Sequence, residues 1–156
     1  MRTDMEIRKA LPEDIPAVAA LEAETFSLGA DASALERMRS DPGCPILCAV
    51  EDGTLLGYVY FRSVLDEGYV GDLAVRADLR RRGIGRALIA AMCAEAERRE
   101  LAFLTLEVRE SNSAARRLYE SSGFLPVGVR KNYYEKPREN AVLMTKTFPR
   151  PSGGEE

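Results

Sequence analysis

A run of small apolar residues, Leu73-Ala74-Val75, leads into Arg80-Arg81-Arg82-Gly83-Ile84-Gly85-Arg86, and a helical repeat of apolar residues leaves it. A strand that ends in a glycine loop and restarts as a helix commits the chain to a layered fold, because the helix must bury its stripe against the strand's sheet. The loop itself has two readings. A helix start leaves backbone N–H groups without carbonyl partners, glycines admit a ligand close to the chain and arginines add charge, which together read as a pyrophosphate cradle. The same residues also fit an exposed arginine-rich turn.

The flanking segments supply the sheet. Residues 5–9 read as a short strand, and Pro12-Glu13-Asp14 suits the first turn of a helix carrying Ile15, Val18, Ala19 and Leu21 to near Phe26. Residues 31–39 read as a second short helix. Residues 46–50 and 55–64 are β-favouring runs on either side of Asp52-Gly53, the signal of a tight hairpin. Residues 69–75 form a further strand, and the helix after the glycine loop runs over 84–99 with the stripe Ile84, Ala87, Leu88, Ala91 and Met92 and a Glu95–Arg99 pair on its wet side. Residues 103–108 are strand again, so a right-handed parallel crossover is expected. Asn112 caps a helix ending at Gly123, and 124–130 and 141–148 are the last strands, separated by a polar loop over 131–140. The expected fold class is α+β, a mixed and mostly antiparallel sheet with one parallel β-α-β crossover and helices on both faces. It is expected as a single domain over residues 1–148 with a disordered tail over 149–156.

Composition narrows the function. A net charge of -3 argues against a dedicated nucleic-acid binder, which needs an excess of Lys and Arg to neutralise phosphates. No apolar run is long enough to span a bilayer, and Met1-Arg2-Thr3-Asp4-Met5-Glu6 lacks a signal peptide's apolar core, so a cytoplasmic protein off the membrane is expected. Cys44, Cys48 and Cys93 are expected to be reduced thiols, and with no histidine a closed zinc site is not expected. The commonest general base is therefore missing, and proton transfer falls to Glu, Asp, Tyr, Lys or water.

Strand alternation over Leu104-Thr105-Leu106-Glu107-Val108-Arg109 puts Thr105, Glu107 and Arg109 on one face. A carboxylate in a central parallel strand reads as a proton acceptor of raised pKa, or else as a solvated strand end neutralised by Arg109. In the next helix Ala115, Leu118 and Tyr119 share a face, so Tyr119 points inward, as a core tyrosine or as an acid. Asn112 reads as an N-cap. Asn132-Tyr133-Tyr134 and Glu139-Asn140-Ala141 flank a loop, where paired tyrosines line a recognition groove or stand on an exposed hairpin. The loop lacks the third glycine of a Rossmann fingerprint, with Leu88 in its place, and the lysine and hydroxyl of a Walker loop.

Taken together, Arg80-x-x-Gly83-x-Gly85, Leu106-Glu107-Val108-Arg109 leading to Asn112, Leu118-Tyr119-Glu120 before Gly123-Phe124, and Asn132-Tyr133-Tyr134 with Glu139-Asn140-Ala141 resemble the GNAT superfamily of N-acetyltransferases. Within it they are most similar to the ribosomal-protein-alanine N-acetyltransferases. The likeness covers 6–148; the relatives' Pro-Trp-Ser after the first helix is replaced by Phe26-Ser27-Leu28-Gly29-Ala30-Asp31. The resemblance implies the GNAT fold and acetyl transfer from acetyl-CoA, a co-substrate, without metal, to a protein or peptide N-terminus, with a ribosomal protein among the acceptors. It implies that Leu73, Ala74 and Val75 meet the acetyl and pantetheine parts, that Arg81, Arg82, Gly83, Ile84, Gly85 and Arg86 wrap the pyrophosphate, and that Asn112 contacts the co-substrate. It gives Glu107 the role of proton acceptor and Tyr119 that of proton donor, with Tyr133 and Tyr134 on the acceptor side and Asp72 as the reserve base. A small-molecule amine as acceptor and a non-catalytic acyl-CoA-binding module are the alternatives, and oligomeric state is left open.

Overall fold

The computed structural model describes residues 5–149. Its strands are β1 (Glu6–Lys9), β2 (Ile46–Glu51), β3 (Thr54–Val64), β4 (Glu67–Val75), β5 (Phe103–Arg109), β6 (Leu125–Tyr134) and β7 (Glu139–Thr147), and its α-helices are α1 (Ile15–Thr25), α2 (Ala32–Arg39), α3 (Ile84–Arg98) and α4 (Ser113–Ser121). The sheet order is β1-β2-β3-β4-β5-β7-β6. The β1–β2, β2–β3, β5–β7 and β6–β7 pairs are antiparallel and β4–β5 is parallel, which is the mixed α+β arrangement with one crossover. The tail expected over 149–156 lies, beyond Pro149, outside the described residues.

The chain divides into two compact units. One comprises the residues up to Arg62 together with Gly71–Met92, and the other Ser63–Val70 together with the residues from Cys93 onward.

In the first unit, Pro12 opens a 3-10 turn rather than the helix itself, and the Asp14 carboxylate accepts from the Leu11 N–H at 2.7 Å and from Arg8 at 2.6 Å. Ile15, Val18 and Leu21 then carry α1 into a core with Leu35, Ile46, Cys48, Val50 and Tyr58. Asp31 caps α2 by accepting from the Ala34 N–H at 2.9 Å. Asp52 and Gly53 both have positive φ, 53° and 77°, as a two-residue hairpin turn between β2 and β3 requires. Gly57 lets β3 come close to its neighbours, since a Cβ there would lie 2.7 Å from the Ala74 carbonyl oxygen and 3.3 Å from Leu88 Cδ1.

In the second unit, Glu67, Gly68 and Tyr69 pair in parallel with Phe103, Leu104 and Thr105. β5 alternates as expected, with Leu104, Leu106 and Val108 buried and Thr105, Glu107 and Arg109 half-buried. Asn112 caps α4 through a 3.1 Å bond from the Ala115 N–H, and Gly123 follows the helix at φ 100°. Two expectations are corrected. Glu95 is buried rather than on a wet face, because Arg98 and Arg99 close over it from the next turn, the latter at 2.7 Å. The loop expected over 131–140 shrinks to 135–138, because β6 runs on to Tyr134, after a register shift, and pairs it with Glu139. Tyrosines favour pleated backbone, and the polarity of the segment reflects an exposed strand rather than a loop.

Gly57→Ala is expected to destabilise the protein by about 1–3 kcal/mol, since a backbone carbonyl must give way. A thermal scan reads this as a fall in Tm of roughly 3–10 °C, and an unchanged Tm would contradict the close approach.

Candidate active site

The first unit carries the glycine loop. Between β4 and α3 the chain passes through Arg81 at φ 72° and Gly83 at φ 83°. Left-handed backbone is cheap for glycine and costs about 1–2 kcal/mol for arginine, so Arg81 is held there by its surroundings. A Cβ on Gly83 would meet no atom within 4 Å, which leaves open space over that turn. The first bond of α3 runs from the Ala87 N–H to the Gly83 carbonyl at 3.0 Å, so the amides of Ile84 and Gly85 have no carbonyl to bond within the helix. Arg82 reaches Glu51 at 3.7 Å, and Arg80 donates to the Val75 carbonyl at 3.4 Å. Helix-start amides, a glycine at positive φ and adjacent guanidinium groups are the parts that hold a phosphate. Leu73, Ala74 and Val75 end β4 just ahead of this turn, and Asp72, one residue earlier, accepts from the Tyr60 hydroxyl at 2.9 Å.

The second unit carries Glu107, Asn112, Tyr119, Tyr133 and Tyr134. The Glu107 side chain is 30% exposed and lies 3.3 Å from Arg130 Nε, so its partner is Arg130 and not Arg109. Arg109 is instead occupied by the loop after β6. It donates to Glu139 at 3.1 Å and to the carbonyls of Pro137 and Glu135 at 3.0 and 3.3 Å, and its guanidinium sits 4.4 Å from the centre of the Tyr134 ring. Glu139 also accepts from the Ser111 N–H at 2.5 Å, and hydrogen bonds from Ser111, followed by the Arg109 charge, hold its carboxyl below the usual carboxylate range. The two tyrosines stand edge to face at 5.0 Å, with Tyr133 half exposed and Arg130 5.9 Å from its ring centre. Tyr119 is buried, edge to face with Phe124 at 5.3 Å. The Asn112 carbonyl oxygen is used in the cap of α4.

Sequence reasoning missed two braces of these sites, Arg130 and Glu22, and named Glu139 beside the tyrosines without its bonds to Arg109 and Ser111. Arg130 had a visible signal, since it lies on the strand that carries the tyrosines. Glu22 had a subtler one, a carboxylate one step from Leu21 on the apolar side of α1, and it is fully buried.

The class defined by this sheet, with its parallel crossover and glycine-loop helix start, is an acyl-CoA-type transferase fold. The sequence pattern of the Acetyltransferase (GNAT) family matches residues 14–124, and the chain belongs to that family. It is 32% identical to a Bacillus subtilis protein named provisionally as a [ribosomal protein bS18]-alanine N-acetyltransferase, over 95% of this chain and 99% of the other. It is 43% identical to the Escherichia coli K12 [ribosomal protein bS18]-alanine N-acetyltransferase over 60% of this chain, a match that spans 65% of that relative's length. The crystal structure of the ribosomal-protein-S18-alanine N-acetyltransferase from Escherichia coli superposes with a TM-score of 0.88 at 31% identity, covering 98% of each chain. Among the described residues no helix is long and apolar enough to cross a membrane.

Gly83→Ala is expected to weaken binding of coenzyme A about five- to thirtyfold, the equivalent of the left-handed backbone penalty. Titration calorimetry with coenzyme A reads it, and an affinity equal to the parent's would remove the phosphate from this turn.

Proposed function

We propose that this protein transfers the acetyl group of acetyl-CoA to the α-amino group of a protein N-terminus beginning with alanine, with a ribosomal protein as the acceptor class. The observation that carries the reading is Glu107, a carboxylate in the middle of the sheet with one side accessible and a guanidinium as its present partner. Likeness over nearly the full chain to proteins named for alanine acetylation supports the acceptor.

The chemistry suits a chain without histidine. An α-amino group has a reference pKa of about 7.7–8.0, against about 10.4 for lysine, so a carboxylate acting directly or through water suffices to free it near neutral pH. Glu107 takes the proton, and the incoming ammonium replaces Arg130 as the cation beside it. The amine nitrogen bonds to the acetyl carbonyl carbon, a backbone N–H of segment 73–75 stabilises the oxyanion, and the carbon–sulfur bond then breaks. Tyr119 gives its proton to the departing thiolate, and the second proton of the attacking nitrogen, shed as the amide forms, passes back through water to the Tyr119 phenolate. No covalent enzyme intermediate is required. Arg81, Arg82, Gly83, Ile84, Gly85 and Arg86 hold the pyrophosphate, Asn112 contributes to the same substrate, and Tyr133 and Tyr134 face the acceptor peptide.

Incubation with acetyl-CoA and a panel of peptides differing in the first residue is expected to add one acetyl group to the alanine peptide and release free thiol. Glu107→Gln is expected to lower kcat by about 10²- to 10⁴-fold while coenzyme A binding is retained. A parent protein that binds coenzyme A yet modifies no peptide would refute the reading.

A further inference from the structure

Glu22 is a fully buried carboxylate in α1 that the mechanism above does not use. Three donors converge on it. The Tyr58 hydroxyl bonds Oε1, the Tyr60 hydroxyl reaches Oε2 at 3.2 Å, and the Ala30 N–H donates to Oε2 at 3.0 Å. The last of these ties down segment 26–31, whose ends are already fixed by the Phe26 N–H on the Glu22 carbonyl and by Asp31 at the cap of α2. The segment closes tightly over the Glu22 side chain, since a Cβ on Gly29 would lie 2.6 Å from Glu22 Cγ. Within it Leu28 is 93% exposed, an apolar side chain in solvent.

The same Tyr60 hydroxyl lies 2.9 Å from Asp72 Oδ2. A phenol has one hydrogen, so it satisfies one of the two carboxyl groups at a time. The titratable groups facing one another here are Glu22 from α1, Tyr58 and Tyr60 from β3 and Asp72 from β4; segment 26–31 offers the Ala30 amide, its own Asp31 being engaged at the cap of α2. Burial, followed by the Glu22 carboxyl beside it, pushes Asp72 up to about 7, and burial with the same carboxyls raises both phenols. Asp72 also precedes Leu73, where the proposed function places the acetyl group.

We propose that Glu22 is a positioning residue that holds segment 26–31 in the form the acceptor peptide meets, and that its grip depends on a proton shared with Asp72 across Tyr60. This rests on the acetyl-transfer reading for the identity of the acceptor. With the proton in place the pair carries one charge and Glu22 keeps its bond to Ala30. Once Asp72 ionises, two carboxylates compete for the Tyr60 hydrogen while Tyr58 stays on Glu22 Oε1, and their repulsion loosens the segment. The sign follows from linkage: Asp72 binds its proton more tightly folded than unfolded, so the stability it contributes is lost as pH rises through about 7.

The test compares the parent with Asp72→Asn, which cannot ionise, and with Glu22→Gln, by hydrogen exchange of segment 26–31 and by peptide kinetics. In the parent, protection corrected for intrinsic exchange is expected to fall about tenfold between roughly pH 6 and pH 8, with the KM for an alanine-starting peptide rising in step and the KM for acetyl-CoA flat. Asp72→Asn removes that step from both readouts, and the amine's own titration, common to both proteins, cancels in the comparison. Glu22→Gln raises the peptide KM at every pH; should it fail to fold, Tyr60→Phe takes its place. A parent whose protection is flat with pH, or an Asp72→Asn protein that keeps the step, overturns the proposal. So does a loss in Asp72→Asn that falls on kcat alone, which would make Asp72 the base. If no peptide is acetylated, the acetyl-transfer reading fails while the exchange data still decide whether the proton holds the segment.

Discussion

The contact between the backbone of β3 at Gly57 and the carbonyl of Ala74 sets the geometry on which the first unit depends. At this point a side chain would collide with the Ala74 carbonyl at the end of β4 and press on Leu88 of α3, so a glycine lets these elements close up without strain. The consequence is local but far-reaching along the chain. With the end of β4 and the second turn of α3 both fixed, the segment between them must turn sharply, and the left-handed conformations at Arg81 and Gly83 are how it does so. An arginine in that conformation carries a backbone cost that a glycine would not.

Much of this was legible in the sequence. Leu104, Leu106 and Val108 alternate with Thr105, Glu107 and Arg109 over enough residues that only a strand with one covered face satisfies the pattern, and Asp52-Gly53 and Asn112 act through their own backbone chemistry. What could not be read were partners brought together across long stretches of chain. Glu107 and Arg109 are two residues apart on one strand face, yet neighbours on such a face share a side without converging, and Arg130 reaches across from β6, on the far side of β7, to take the contact instead. Arg109 is drawn away by a loop whose carbonyls and carboxylate surround its five donors. Polarity misled in the same manner at 131–140, where hydrophilic residues extend exposed strands.

The two buried carboxylates show how differently the same cost of desolvation is met. Glu95 sits under Arg98 and Arg99 of its own helix, a charge-balanced arrangement in which two cations of the following turn cover one anion. Glu22 has neutral donors instead, two phenols and an amide from a different segment. Neutral donors satisfy the oxygens without cancelling the charge, so the electrostatic field of Glu22 stays available to whatever lies nearby. Asp72 is what lies nearby.

That difference bears on how a protein with no histidine manages protons near neutral pH. An isolated carboxyl titrates too low and a lysine too high to change state there, and one route is to bring two carboxyls together, partly out of water, so that one of them is driven upward. The first unit contains such a pair, built from residues on three successive elements and anchored to an exposed segment through a single amide. The carboxylate in the second unit is arranged otherwise, partly exposed and matched by a guanidinium. One carboxylate is sealed among neutral donors and the other stands beside a cation at the surface, and the difference follows from burial: water reaches Glu107 and does not reach Glu22.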